Sequence, residues 1–448
     1  MNRGKLLYWS ITVALVGFLF GFDTAVISGA EQAIQELWQL DPATLGAMVS
    51  AALVGTVIGA LGGGFPADRF GRKTTLVWIG VLYLLSAAAS ALAPDVYTLM
   101  AARFVGGLGV GASSVVAPMY ISEIAPAEDR GKLVAIFQFN IVFGILIAFF
   151  TNFLIGGGGD GQWRYMLGTE VIPCILYLVL VLGVPRSPRW LVLQRNDEAG
   201  ALRVLRQINP TTAAAELAAI RASDLTPGRT TSLAEFFGGR YSVPILLAFL
   251  IAFFNQASGI NAILYYAPRI FGLTGLGEST ALLASVGVGA VNLVFTLLGL
   301  SLIDRLGRKT LMYIGSVGYI LSLSAVAWAF YTEAFNGPFV PVCIFVFIAS
   351  HAVGQGTVIW VFINEIFPNE VRSYGASWGC GTHWVFAAII AGTFPAMAAA
   401  LGPVVVFAIF AGLMILQLIW VATRMPETKG VSLEELQGRL VGGGRGGG

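Results

Sequence analysis

Twelve apolar runs follow one another along the chain, at about 8–30, 45–66, 75–93, 97–121, 132–154, 165–184, 243–271, 280–303, 310–331, 339–366, 373–400 and 402–423. Each is close to the ~20 residues that a helix needs to cross a hydrocarbon core. In lipid every backbone N–H and C=O must be satisfied within the segment, so runs of this length are expected to be helices. Only 11% of residues are charged and 56% are hydrophobic, against about 25% charged in soluble domains. The expected fold class is therefore an all-α membrane protein of twelve spans. The start resembles a signal peptide, basic and then apolar, but its run reaches Ala30 without a small-residue cleavage site and reads as a retained first span.

Lys and Arg set the orientation. With the N-terminus placed in the cytosol, 23 of the 26 basic residues fall on inner segments. Arg164 and Arg269 fall outside, and Arg103 lies within a span. That asymmetry predicts both termini in the cytosol and a multi-pass protein of the cell (inner) membrane. No clustered basic face points to nucleic acid. Cys174, Cys343 and Cys380 lie in apolar runs without metal-ligand spacing.

The chain repeats. "DRFGRK" (68–73) returns as "DRLGRK" (304–309), and "EIAPAEDR" (123–130) returns as "EIFPNEVR" (365–372). "PRSPR" follows span six where "PETKG" follows span twelve. The expected organisation is a six-helix half over 1–184, a cytosolic helical linker over 185–242, a second six-helix half over 243–424 and a cytosolic tail over 425–448. The halves share one topology, a parallel repeat about the membrane normal. In the linker, "DEAGALRVLRQI" and "TAAAELAAIRA" read as short amphipathic helices, and the glycine-rich end reads as low-complexity chain.

Those motifs, with "RFVGGLGVG", "PMYISEIAP", "PRSPRWL" and "NQASGINAILYYAP", give the chain a resemblance to the sugar porters of the major facilitator superfamily over nearly its whole length. The glycines of "GGLGVG" lie mid-span with no preceding strand, which favours close helix packing over a dinucleotide loop. The resemblance implies alternating access between two halves.

The basic turns carry Asp68, Arg69 and Arg72 in one copy and Asp304, Arg305 and Arg308 in the other. Glu123 with Arg130, and Glu365 with Arg372, stand at the inner ends of spans four and ten. Two readings follow: cations that only obey the positive-inside rule, or pairs with Glu123 and Glu365 that latch the cytosolic side. Relatives usually have Glu where Arg186 stands, so one inner ion pair is expected to be absent or rebuilt.

Ser258-Gly259 is a weak point in span seven, flanked by Asn255, Gln256, Asn261 and Tyr265. Asn261 and Tyr265 are four residues apart, on one helix face. Amides donate and accept, as sugar hydroxyls do, and an aromatic ring covers a sugar's C–H face. Gln138, Asn292, Trp360, His383 and Trp384 are further mid-span candidates. Taken singly, each amide also reads as interhelical packing. The resemblance implies sugar contacts at Gln138, Gln256, Asn261, Asn292 and Trp360. It departs at Asn255, usually Gln, and at His383, often Asn or Gln. His383 reads equally as a ligand or as a hydrogen-bonded histidine. Ala352 and Ala387 stand where the human glucose facilitators have Glu and Asn.

Asp23 lies inside span one, about 10 Å from its outer end. Arg103 and Glu170 lie at nearly the same depth in spans four and six, and the three read as the only deeply intramembrane charges. Asp23–Arg103 is either a permanent structural pair or a proton site, in which Arg103 tunes the acid by approaching or withdrawing. The resemblance supports the second, since bacterial proton-coupled sugar porters have Asp here and human facilitators have Asn. The expected activity is import of a monosaccharide, hexose or pentose, with a proton. A facilitator of the same fold and a sugar sensor are the alternatives. No nucleophile–base pair suggests an enzyme, no cofactor or metal is expected, and a monomer in the bilayer is the expected state.

Overall fold

The computed structural model describes residues 2–126, 128–156, 161–224, 232–335, 337–368, 370–431, 435–436 and 440. The glycine-rich end, and 225–231 of the expected linker, lie outside them. The described residues are helical, without strands. In order the helices are α1 (Arg3–Trp38), α2 (Pro42–Gly62), α3 (Gly64–Phe70), α4 (Arg72–Leu92), α5 (Val96–Ile124), α6 (Arg130–Ile155), α7 (Gln162–Gly168), α8 (Val171–Leu182), α9 (Pro188–Arg195) and α10 (Glu198–Ile208). Then come α11 (Ala213–Asp224), α12 (Leu233–Phe236), α13 (Ser242–Ala257), α14 (Ile260–Gly272), α15 (Glu278–Leu306), α16 (Arg308–Thr332), α17 (Phe339–Val353), α18 (Gln355–Ile366) and α19 (Arg372–Thr423).

Among the described residues, eleven helical segments are long and apolar enough to span a membrane. The last, α19, runs through 52 residues. At ~1.5 Å per residue that is more than twice a hydrocarbon core. It turns at Gly402, with φ 76°, before Pro403, and so supplies spans eleven and twelve. Twelve spans result. Three are broken. Span six breaks between α7 and α8 at Thr169-Glu170, span seven between α13 and α14 at Ser258-Gly259, and span ten between α17 and α18 at Gly354. Gly259 takes φ 83°, and a Cβ there would stand 2.6 Å from the Phe410 ring. Outward faces are apolar: on α8, Ile172, Ile175, Leu176, Val179 and Leu182 are exposed, while Cys174, Tyr177 and Val181 are buried. Such a face suits hydrocarbon rather than water.

The chain divides into two units, one of Met1–Ala30, Ala51–Thr151 and Gly159–Gly228, the other of Glu31–Ser50, Asn152–Gly158 and Arg229–Gly448. In the first, α2 and α5 meet backbone to backbone. A methyl on Gly107 would lie 1.9 Å from the Ala52 carbonyl oxygen, and one on Gly59 2.2 Å from that of Leu108. The "GGLGVG" glycines therefore allow close helix approach. Asp95 caps α5, accepting from the N–H groups of Tyr97 and Thr98 and from the Thr98 hydroxyl. These bonds, the Thr98 N–H foremost, hold its carboxyl below the usual carboxylate range. α9 to α11 belong to this unit; α9 starts at the Ser187 cap with Pro188 behind it, and α10 at the Asp197 cap. In the second unit α19 packs on α13 and α16, and α16 on α17.

Candidate functional site

Both repeated basic turns have the same build. Gly71 and Gly307 take φ 96° and 90°, a conformation costly for a side-chain-bearing residue, and so start α4 and α16. In the first unit Arg72 pairs with Glu123 at 2.9 Å and with Asp68 at 2.9 Å. In the second Arg308 pairs with Glu365 at 2.7 Å and with Asp304 at 3.1 Å. The Ser187 hydroxyl donates to Glu123 and the Thr428 hydroxyl to Glu365, at 2.5 and 2.6 Å. Each acid thus meets the basic turn of its own sequence half. Among the described residues Arg69, Arg130, Arg305 and Arg372 form no ion pair. Arg130 donates to the Ser122 carbonyl and Arg372 to that of Phe367.

The two copies differ in one acid. Glu427 accepts the backbone N–H groups of Arg308 and Lys309, both at 3.0 Å. Its counterpart in the first copy is Arg186, which cannot accept, and whose guanidinium lies 5.6 Å from the Trp190 ring. The missing acid is thus not rebuilt there.

Asp23, Arg103 and Glu170 come together as their depths implied, all in the first unit and no more than 3% exposed. Arg103 reaches Asp23 with Nη1 at 3.6 Å from Oδ1, and its Nη2 donates to the Asp23 backbone carbonyl at 3.3 Å. Its Nε and Oε1 of Glu170 are buried without a hydrogen-bond partner among the described residues. Glu170 sits at the span-six break, within electrostatic reach of both. A Cβ at Gly106 on α5 would run into the Ser86 hydroxyl, which packs there beside Asp23.

These are not the only deeply buried charges. Glu31, near the far end of α1, is fully buried in the second unit, where Arg269 of α14 binds it at 2.9 Å through Nε and 2.5 Å through Nη2. Nη2 also donates to Gln35 at 2.7 Å. The pair is hidden in the sequence because Glu31 stands one residue past the apolar run and Arg269 reads as a loop cation.

The sugar candidates split between the units. Gln138 stands half-buried on α6 of the first unit. In the second, Asn261 donates to Gln256 at 2.8 Å, and Gln256 Nε2 donates to Asn255 at 2.9 Å. The same nitrogen lies 3.2 and 3.3 Å from the two ring nitrogens of His383. Its second hydrogen needs a lone pair, so His383 accepts there. Trp360 and Trp384 flank His383 at 4.9 and 4.8 Å between ring centres. Trp360 also lines a cavity of about 410 Å³ with Asn364, Glu365 and Arg372. Tyr265 is buried on α14, while Asn292 lies on α15 and accepts from Thr296 at 3.4 Å. Amides beside two indoles and an imidazole can bind a polyol, which offers hydroxyls at its rim and C–H groups on its faces.

Twelve spans in a repeated plan, with broken helices and buried polar groups at the breaks, define a membrane transporter of the major facilitator fold. The sugar (and other) transporter family matches residues 9–439, and the chain belongs to it. It is 36% identical to the arabinose-proton symporter of Bacillus subtilis (strain 168), over 97% of this chain and 95% of that one. It is 35% identical to the D-xylose-proton symporter of Escherichia coli (strain K12), over 97% and 96%. The inward-open structure of the xylose transporter XylE from E. coli superposes with a TM-score of 0.85 at 33% identity, over 96% of this chain and 98% of that one.

Proposed function

We propose that the chain is a secondary active transporter that imports a monosaccharide together with a proton by alternating access. Its likeness to the arabinose-proton and D-xylose-proton symporters supports this reading. Residues 1–184 and 243–424 are its two six-helix halves, 185–242 its cytosolic linker and 425–448 its tail. It works as a monomer in the cell (inner) membrane with both termini in the cytosol. Gln138, Asn255, Gln256, Asn261, Tyr265, Asn292, Trp360, His383 and Trp384 bind the sugar. The turn residues with Glu123, Arg130, Glu365 and Arg372 form the cytosolic gate.

Asp23 takes the proton, with Arg103 and Glu170 as its electrostatic partners. The contrast between the two buried acid–Arg pairs carries this assignment. A pair built only for structure is expected to be short and bidentate, as Glu31–Arg269 is. Asp23–Arg103 is a single contact of 3.6 Å, with one guanidinium nitrogen spent on a backbone carbonyl and another without a partner among the described residues. A single 3.6 Å contact holds the anion less tightly than the Glu31–Arg269 pair does, so Asp23 can exchange its proton. Burial favours the neutral acid and Arg103 the charged one, so small movements of Arg103 set the proton affinity. Uptake of labelled hexoses and pentoses into proteoliposomes, with and without an inward proton gradient, tests the reading. A sugar concentrated only with the gradient is expected; equilibration without concentration would mark a facilitator.

A further inference from the structure

The amides of the sugar site do not end at the site. Asn255 Nδ2 lies 3.5 Å from Oε1 of Gln355, the first residue of α18 and fully buried. Gln355 Nε2 donates to Gln417 Oε1 at 2.8 Å, and Gln417 Nε2 donates to Ser316 Oγ at 2.7 Å. Ser316 donates in turn to the Met312 carbonyl at 2.7 Å. Gln417 and Ser316 are also fully buried, on α19 and α16.

This chain of bonds has a direction, and a backbone carbonyl sets it. The carbonyl of Met312 only accepts, so Ser316 spends its one hydrogen there and must accept from Gln417. That turns the amide nitrogen of Gln417 toward α16 and its oxygen toward Gln355. Gln355 then points its oxygen at Asn255, whose oxygen is left for Gln256. Gln256 gives both hydrogens away, to Asn255 and His383, and its oxygen takes the Asn261 amide. Asn261 is left with Oδ1, which only accepts, and with the second hydrogen of Nδ2.

We propose that Gln355, Gln417 and Ser316 are positioning residues that fix which atoms Asn255, Gln256 and Asn261 offer to the substrate. The inference rests on the sugar-binding reading above. It makes the substrate hydroxyl that faces Asn261 Oδ1 an obligatory donor. An amide pinned only by the sugar could turn over and accept either polarity. One pinned from behind cannot, because reversal would leave a row of buried polar groups mispaired.

Monofluorinated analogues test this, because C–F cannot donate. Binding of D-xylose, D-glucose and their monofluoro-deoxy series is measured by calorimetry on the purified full-length protein. In wild type, fluorine at one position should cost ~10-fold or more in affinity, the loss of one buried hydrogen bond. In Ser316→Ala that penalty should shrink to less than ~3-fold while the penalties at other positions hold, because the amides can then turn over. Ser316→Thr, which keeps the hydroxyl, should restore the wild-type profile. Gln417→Met removes the next link and carries the same test should Ser316→Ala not fold. A purely structural role would weaken all analogues alike. That result, or an unchanged profile, or a wild type with no fluorine-sensitive position, overturns the inference. If wild type binds no sugar of the panel, the transport reading itself falls and the inference with it.

Discussion

Arg269 holds the fully buried carboxylate of Glu31 through two guanidinium nitrogens, at 2.9 and 2.5 Å. The partners are unequally placed, with 28% of the Arg269 side chain exposed and none of Glu31. Losing Glu31 leaves a cation that can turn to water, whereas losing Arg269 strands an anion in the interior. Arg269→Ala should therefore cost about 3 kcal/mol or more, and Glu31→Gln distinctly less. Thermal unfolding in detergent measures both. Equal and negligible shifts would show that the pair adds nothing.

Arg186 stands where the second copy has Glu427, which caps the first backbone N–H groups of α16. Arg186→Glu should place the same cap on α4 and its Arg72 and Lys73 N–H groups. A gain of about 1 kcal/mol is expected from a capping carboxylate at a helix start. Glu427→Arg should lose a similar amount. Opposite shifts in melting temperature check the pair of predictions; a destabilised Arg186→Glu would contradict the equivalence of the two turns.

Asn261 and Gln256 are joined by a 2.8 Å bond within the amide cluster. Asn261→Ala or Gln256→Ala should weaken sugar binding by about 1–3 kcal/mol, the cost of an unpaired buried group. Calorimetry with the transported sugar reads this directly, and wild-type affinity in both variants would place the sugar elsewhere.

In the proposed topology Glu333, just past α16, faces outside and Ser223, near the end of α11, faces the cytosol. A cysteine at Glu333 should react with an impermeant thiol reagent on intact cells, and one at Ser223 only after lysis. The reverse pattern would invert the orientation.

Much of this was legible in the sequence because lipid leaves few choices. Helices α10 and α11, at 198–208 and 213–224, lie over the two stretches whose pattern predicts short helices. The Ser258-Gly259 break and the Gly402 turn fell where glycine interrupts an apolar run. The break at Gly354 does not stand out, because a glycine inside a long apolar run reads equally as a helix-packing contact. Gln355 and Gln417 are invisible as a pair in the sequence, since they lie in separate apolar runs and only packing brings them to 2.8 Å. Depth counting brought Asp23, Arg103 and Glu170 together because rise per residue is fixed in a helix. It passed over Glu31, since α1 runs on to Trp38, eight residues past the run that hydropathy delimited.

Asp23 is the residue proposed to carry the coupled proton. Asn is nearly isosteric with Asp but cannot bind and release a proton at this site, so Asp23→Asn separates sugar movement from coupling. The measurement is sugar counterflow and proton-driven uptake on the same proteoliposomes, wild type against Asp23→Asn. Counterflow should persist in the variant and accumulation under the proton gradient should vanish. Accumulation at the wild-type level would contradict the assignment, and loss of counterflow together with accumulation would make Asp23–Arg103 a structural pair instead.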